Sequence, residues 1–103
     1  MKLFAKHKFN ARSSTYNGIS FRSKKEGARY LELLIMQKAG DVVFFLMQVP
    51  FRLAGGVKYV VDFVVFWGNG DITFEDVKGY KTPMYLTKKK MVEDLYPIQI
   101  KEM

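Results

Sequence analysis

The stretch Val57-Lys58-Tyr59-Val60-Val61-Asp62-Phe63-Val64-Val65-Phe66-Trp67, followed by Gly68-Asn69-Gly70 and then Asp71-Ile72-Thr73-Phe74-Glu75-Asp76-Val77-Lys78, decides the fold. Its first part carries Val, Phe and Tyr at both alternating positions, the pattern of a central strand buried on both faces. The glycine pair turns the chain, and 71–78 returns antiparallel. With Gly70 left-handed in a three-residue loop, Trp67 faces Asp71 and paired residue numbers sum to 138, so Asp62 lies across from Asp76. Cross-strand neighbours on one face have Cβ atoms about 4.5–5.5 Å apart. Lys78, two residues past Asp76, points to the same face. A two-residue Asn69-Gly70 loop would instead set Asp62 opposite Val77 and disperse the group.

Working outward, Ser14-Thr15-Tyr16 and Ile19-Ser20-Phe21 flank Asn17-Gly18, the strongest short signal for a hairpin. Ser23 reads as a helix N-cap, with Glu26 three residues on completing a capping box. The helix is expected from Lys24 to about Lys38, ending at Gly40, with Tyr30, Leu31, Leu34 and Ile35 as its apolar face. Val42 to Val49 is a strand closed by Pro50. Thr82 caps a second helix with Pro83 in its first position, ending at Tyr96-Pro97, with an apolar stripe of Met84, Met91, Val92 and Leu95. Ile98 to Lys101 forms a last short strand. The expected order is hairpin, helix, three strands, helix, strand: an α/β or α+β domain with helices on a mixed sheet.

The chain has 103 residues, enough for one domain, with 49% hydrophobic residues, which excludes global disorder. The longest apolar run, Val42 to Met47, is far short of the roughly 20 residues of a membrane span. Met1 to Lys6 breaks into charge too early for a signal peptide. There is no cysteine, which excludes a thiolate zinc site, and the one histidine, His7, argues against a zinc enzyme. The net charge of +7 is carried entirely by residues 1–25, where Lys2, Lys6, Lys8, Arg12, Arg22, Lys24 and Lys25 meet no carboxylate. Residues 1–14 read as a weakly ordered basic arm and 15–103 as a single domain. A neutral body with a one-signed arm suits a polyanion: nucleic acid first, an anionic membrane second. The arm has no amphipathic stripe to favour the membrane.

Asp62 interrupts the most hydrophobic stretch of the chain, where an unpaired carboxylate costs several kcal/mol, of the order expected for a buried charge. Beside Asp76, it calls for a cation. Oxygen ligands without thiols select a hard ion, Mg²⁺ or Mn²⁺. Such an ion next to Lys78 suits attack by water on a phosphodiester, with Lys78 orienting or activating the nucleophile. For Asp76 and Lys78 alone, a surface ion pair would be the plainer reading; Asp62 in its apolar setting turns the balance toward function. Glu75 alternates to the opposite face and cannot join them. Glu26 is either a capping residue only or a third carboxylate over the hairpin. In the second helix Lys88 falls on the apolar stripe, placed to reach a phosphate or to snorkel past the core, whereas Lys89 and Lys90 face solvent.

Asp62, then Asp76-Val77-Lys78, preceded by Glu26 on a helix, resembles the PD-(D/E)XK nuclease superfamily, whose core shares the expected αβββαβ succession of a restriction-endonuclease-like fold. Tyr16 to Glu26, Gln48-Val49-Pro50-Phe51, Val61-Asp62-Phe63, Glu75 to Gly79 and Lys88 to Pro97 look like the successive blocks of small phage-encoded nuclease-like proteins, kin to Holliday-junction resolvases. The resemblance implies that Asp62 and Asp76 bind Mg²⁺ or Mn²⁺, that Lys78 serves the water, that Glu26 is the helix-borne acid, and that Gln48 helps position the site. It also implies branched DNA as substrate, a homodimer, and action in a bacterial cytoplasm during DNA recombination. Val61 stands where the superfamily has its proline, and Asp76 where glutamate is commoner.

Two functions follow as expectations. The first is a metal-dependent DNA endonuclease selective for branched DNA. The second is a non-catalytic nucleic-acid-binding module, in which the basic arm, Tyr16 and Phe21 hold a strand by charge and stacking. A binding module has no use for a carboxylate inside the central strand.

Overall fold

The computed structural model describes residues 13–103. Two short strands, β1 (Ser14–Tyr16) and β2 (Ile19–Phe21), form the expected hairpin. Asn17 and Gly18 both take left-handed backbone angles (φ 53° and 77°), as the twist-matched two-residue turn requires. Because β1 starts at Ser14, the last residue of the expected basic arm belongs to the folded domain.

The helix α1 (Lys24–Ala39) begins at Ser23, whose hydroxyl accepts the Glu26 amide, and stops at Gly40 in the left-handed conformation. Its inward face is the expected one in part: Tyr30 is buried and Leu31 and Leu34 pack against the core, but Leu33 replaces Ile35. Glu26, Gly27, Tyr30 and Leu33 are buried, whereas Ile35 is 68% exposed. The helix is rotated because the hairpin lies directly on its first turn: a Cβ on Gly27 would stand 2.7 Å from Tyr16 Cε2.

β3 (Val42–Arg52) runs on through Pro50, which was expected to close it. Its position explains this. The main sheet has the order β3-β4-β5-β6, so β3 is an edge strand where a missing N–H is tolerated. A single 3-10 turn (Ala54–Gly56) leads to β4 (Lys58–Trp67), the central strand, and then β5 (Ile72–Asp76). The pairs Phe63–Glu75, Val64–Phe74, Val65–Thr73 and Phe66–Ile72 all keep the three-residue-loop register, with Gly70 left-handed. The β4–β5 ladder stops at Phe63–Glu75, one pair short of Asp62 and Asp76, and β5 itself ends at Asp76, two residues before Lys78. α2 (Pro83–Leu95), capped by Thr82, crosses to β6 (Ile100–Glu102), which pairs parallel to β5 and starts two residues later than expected.

The result is a mixed α+β domain in the order hairpin-αβββαβ, with helices on opposite faces of the four-stranded mixed sheet. On the α1 face, Tyr30 and Leu33 pack with Phe21, Val42, Phe63 and Val65. On the α2 face, Val92 packs with Leu53, Tyr59, Val61, Val64 and Ile100. Of the stripe expected for α2 only Val92 is buried; Met84 (67% exposed) and Leu95 (61%) face outward, and Tyr85 and Tyr96 join Val92 against the sheet. Among the described residues, no helix is long and apolar enough to cross a membrane.

One irregularity shapes the functional region. Phe45 and Met47 of β3 pack on the α1 side, yet Val49 and Phe51 pack on the α2 side; in β4, Phe63 and Val65 divide from Tyr59 and Val61 in the same way. Side-chain alternation would keep each set on one face. Both strands exchange faces at one level, that of Gln48 and Asp62. Gln48 sits there with φ 54°, a left-handed conformation costly by about 1–2 kcal/mol for a residue with a Cβ.

Candidate active site

Asp62 and Asp76 are both buried to 1% exposure or less, and each accepts a backbone amide of the other's strand. The Asp62 amide donates to Asp76 Oδ1 (3.1 Å), and the Val77 amide donates to Asp62 Oδ2 (2.9 Å). The two acids expected to face each other are therefore brought together, through these side-chain bonds and just beyond the last ladder pair, Phe63–Glu75. What holds each carboxylate differs. Asp62 Oδ1 accepts from Gln48 Nε2 (3.2 Å) and has the Arg22 guanidinium at 3.7 Å. Asp76 Oδ2 accepts from the Tyr59 hydroxyl. Burial raises the Asp76 carboxyl above its ordinary range, outweighing the lowering by the Tyr59 hydroxyl and the Asp62 amide, and the negative charge of Asp62 adds to the rise.

Glu26 joins this group. Of the two alternatives for Glu26, a capping residue only or a third carboxylate, the geometry places the carboxylate with the acids: its amide completes the Ser23 cap, while its carboxylate turns to Gln48, whose Nε2 lies 3.1 Å from Glu26 Oε2. One amide nitrogen thus bridges acids from α1 and β4. Glu26 is 5% exposed, and its carboxyl is also raised, first by burial and then by Asp62. Lys78 lies within electrostatic reach, since its charge lowers both Asp76 and Glu26, and its Nζ stands 5.1 Å from the Tyr85 ring centroid. Asp62, Asp76, Lys78, Glu26 and Gln48 are thereby brought together.

Arg22, Lys24 and Lys25 stand exposed around the start of α1. Lys24 and Lys25 occupy the first turn, where the helix dipole disfavours cations. Lys2, Lys6, Lys8 and Arg12 lie outside the described residues. Lys88 is half-buried on a cleft with Tyr59, Lys78 and Tyr85. Lys90 is exposed as expected. Lys89 is not simply solvated: it is half-buried, 3.3 Å from Glu102. β6 delivers that carboxylate to α2, which could not be seen with the strand placed two residues early.

Several polar residues were not singled out in the sequence. Tyr59 and Tyr85 extend the site, because the Tyr85 hydroxyl donates to Glu102 Oε2 (3.1 Å) and also contacts the Tyr59 hydroxyl. Asp76, Tyr59, Tyr85 and Glu102 form a continuous polar chain leading to Lys81 and Lys89 at the surface. Both phenols are raised, first by burial. Glu75, correctly excluded from the site by its face, is fully buried and held by Arg29 through two bonds, Nε to Oε1 (2.8 Å) and Nη2 to Oε2 (2.7 Å). No sequence signal joins Arg29 to Glu75, 46 residues apart.

The donors fit a hard dication in chemistry: three buried carboxylates, with Arg22 the nearest charged partner of Asp62 and an amide nitrogen between two of them. Among the described residues, however, no three acids are arranged to hold a metal ion as they stand. Asp76 has its outer oxygen engaged by Tyr59, and Gln48 occupies the space between Glu26 and Asp62.

Fold and site together define a mixed α+β domain with a buried acidic centre rimmed by cations. Residues 6–102 match the family described as a protein of unknown function, DUF1064, and the chain belongs to that family. No curated protein and no solved structure matches it.

Proposed function

We propose that this protein is a Mg²⁺- or Mn²⁺-dependent endonuclease that hydrolyses phosphodiester bonds in DNA. The observation that carries the reading is the buried Asp62–Asp76 pair, cross-linked through backbone amides, with the exposed Arg22 guanidinium 3.7 Å from Asp62 and Lys78 at its edge. A carboxylate pair kept in a dry strand interior against its own repulsion is a functional candidate by default. Asp62 and Asp76, with Glu26, would hold the dication once Gln48 and Tyr59 give way. Bound there, it would supply neutralisation of charge on the phosphoryl oxygens and a lowered pKa for the attacking water. Lys78 orients that water, and Arg22 offers a donor to the phosphate as it leaves Asp62. Gln48 positions the Glu26 and Asp62 carboxylates relative to one another.

The finer parts of the reading rest on the sequence resemblance to PD-(D/E)XK nucleases of phages: branched DNA such as a Holliday junction as substrate, a homodimer that places two sites on two strands, and action in a bacterial cytoplasm. The basic arm of residues 1–14 would add phosphate contacts. Cleavage of labelled linear, flap and four-way DNA, with Mg²⁺, Mn²⁺ or chelator, tests the whole. The wild type is expected to cut with metal only, and Asp62→Asn and Asp76→Asn are expected to bind DNA without cutting it. Wild-type protein that binds tightly yet never cuts would establish the non-catalytic binding module instead.

A further inference from the structure

Two clefts meet at Arg22. The first, between the hairpin and β3, exposes Glu26 and Gln48. The second, about 300 Å³, lies between the first turn of α2 and the start of β4, with Tyr59 and Tyr85 in its wall and Lys58, Lys78 and Lys88 around it. Its wall is continuous with the acidic centre, since Tyr59 bonds Asp76.

The charges around α2 are sorted. Lys81 and Lys89 pair with Glu102, and Lys90 pairs with Asp94. Lys58, Lys78 and Lys88 form no ion pair among the described residues, and all three line this cleft together with Arg22. Arg22 is held by Asp62, and Lys78 acts on Asp76 and Glu26, so Lys58 and Lys88 are the two like charges on this concave surface left without an acidic neighbour among the described residues, an arrangement that favours entry of an anion. Thr82, the N-cap of α2, also lines the cleft, so the positive end of the helix dipole adds to the same field. The volume is at the small end of ligand sites, about 300–1,000 Å³. It suits a phosphate with its sugar and not a whole cofactor. Because the cleft shares Arg22 with the hairpin cleft, an extended ligand can pass from one to the other across the acids.

We propose that the Lys58–Lys88 cleft is a phosphate subsite for a nucleic-acid strand, taking a backbone phosphate adjacent to the one presented to Asp62 and Asp76. The position relative to the cut rests on the nuclease reading; the binding does not. Lys58 and Lys88 are the direct phosphate ligands, and Lys78 is left free for the site.

The test is DNA binding in chelator, followed by fluorescence anisotropy of labelled single-stranded and duplex oligonucleotides across a salt titration. Lys58→Ala/Lys88→Ala is compared with Lys38→Ala/Lys90→Ala, which removes equal charge outside the cleft. Losing two phosphate contacts should flatten the slope of log affinity against log salt by about 1.4 on single strands or about 1.8 on duplex. The control should leave the slope near that of the wild type, and Lys58→Arg/Lys88→Arg should restore it. An equal loss in both double-alanine variants, or no loss in the first, overturns the subsite. Calorimetric binding of pyrophosphate to the wild type but not to Lys58→Ala/Lys88→Ala, with an unchanged DNA slope, would assign the cleft to a small phosphorylated molecule and also overturn it. Chelator is present throughout, so a protein that never cuts DNA still reports on the cleft, and a failed cleft leaves the cleavage test intact.

Discussion

Glu75 and Asp76 are consecutive, both fully buried, and both carboxylates, yet their removal is expected to have opposite consequences. Glu75 faces α1 and receives two charge-assisted bonds of 2.8 and 2.7 Å from Arg29, whose side chain is 13% exposed. Removing one partner of such a buried pair costs about 3–5 kcal/mol, mostly because the other charge is stranded. Glu32, 63% exposed and 3.0 Å from Arg29 Nη1, retains part of the guanidinium's coordination, so Glu75→Gln belongs at the lower end, about 3 kcal/mol. For a domain of this size that is a fall in Tm of roughly 12–24 °C, at about 4–8 °C per kcal/mol.

Asp76→Asn meets a different environment. The asparagine oxygen can keep the Asp62 amide, while its Nδ2 donates to the Tyr59 hydroxyl, which turns its own proton to Tyr85. No polar atom is stranded, and a charge is removed from beside Asp62. The folded-state carboxyl is raised above its unfolded value, so the folded protein holds that proton more tightly. Its contribution to stability is present below the ordinary carboxylate range and is lost as pH rises through the raised value. Asp76→Asn should therefore match the wild type in acid and equal or exceed it at neutral pH in chelator. Mg²⁺ should raise the Tm of the wild type at neutral pH and leave the variant unmoved. Thermal melts followed by circular dichroism across pH 4–8 measure all of this (a window chosen to bracket ordinary carboxylate values). A neutral-pH loss for Asp76→Asn as large as that of Glu75→Gln would refute the reasoning, since it would make Asp76 a structural residue.

Glu26→Gln keeps the Ser23 cap, which uses the backbone amide, and is expected to abolish metal-dependent cleavage at unchanged Tm; retained cleavage would leave Glu26 as a buried helix residue only. Tyr59→Phe removes the donor to a buried carboxylate oxygen, a loss of about 1–3 kcal/mol at neutral pH in urea titrations. That loss should shrink in acid, and carboxyl carbon NMR should show the Asp76 titration moving further up. Gly27→Ala gains roughly 0.5–1 kcal/mol in helix propensity but drives a methyl into Ser14 and Tyr16. Against an overpacking cost of about 1–3 kcal/mol, the expected net is a small destabilisation, with faster amide exchange in residues 14–21 as the hairpin lifts off α1.

Features set by neighbouring residues were legible in the sequence. Asn17-Gly18 specified a left-handed two-residue turn, Ser23 a cap, and Gly68-Asn69-Gly70 a register that put Asp62 level with Asp76. Features set by distant partners were not. The inward faces of both helices depended on what packs against them, so Leu33 and Tyr85 displaced Ile35 and Met84. Tyr59, Tyr85 and Glu102 meet only because β6 pairs parallel to β5, a contact made across the whole of α2. Arg29 and Glu75 could be placed on their elements separately, but nothing local pairs them.

The least legible feature is also the one on which the site depends. A regular sheet keeps side chains of its two faces apart by its own thickness, so an acid from the α1 layer and one pointing toward α2 should not share a centre. Here Glu26 belongs to α1, and Asp76 points toward Tyr59 on the α2 side, yet Asp62 acts on the carboxyls of both. This follows from the exchange of faces in β3 and β4 at Gln48 and Asp62. At that level neither strand has a settled inside and outside. Gln48, in its left-handed conformation on an edge strand, reaches Glu26 and Asp62 together. The backbone strain at Gln48 and the burial of three acids are both unfavourable for folding, and they fall at one place. The same exchange of faces brings carboxylates from both layers to one level, and the proposed cation site rests on that convergence.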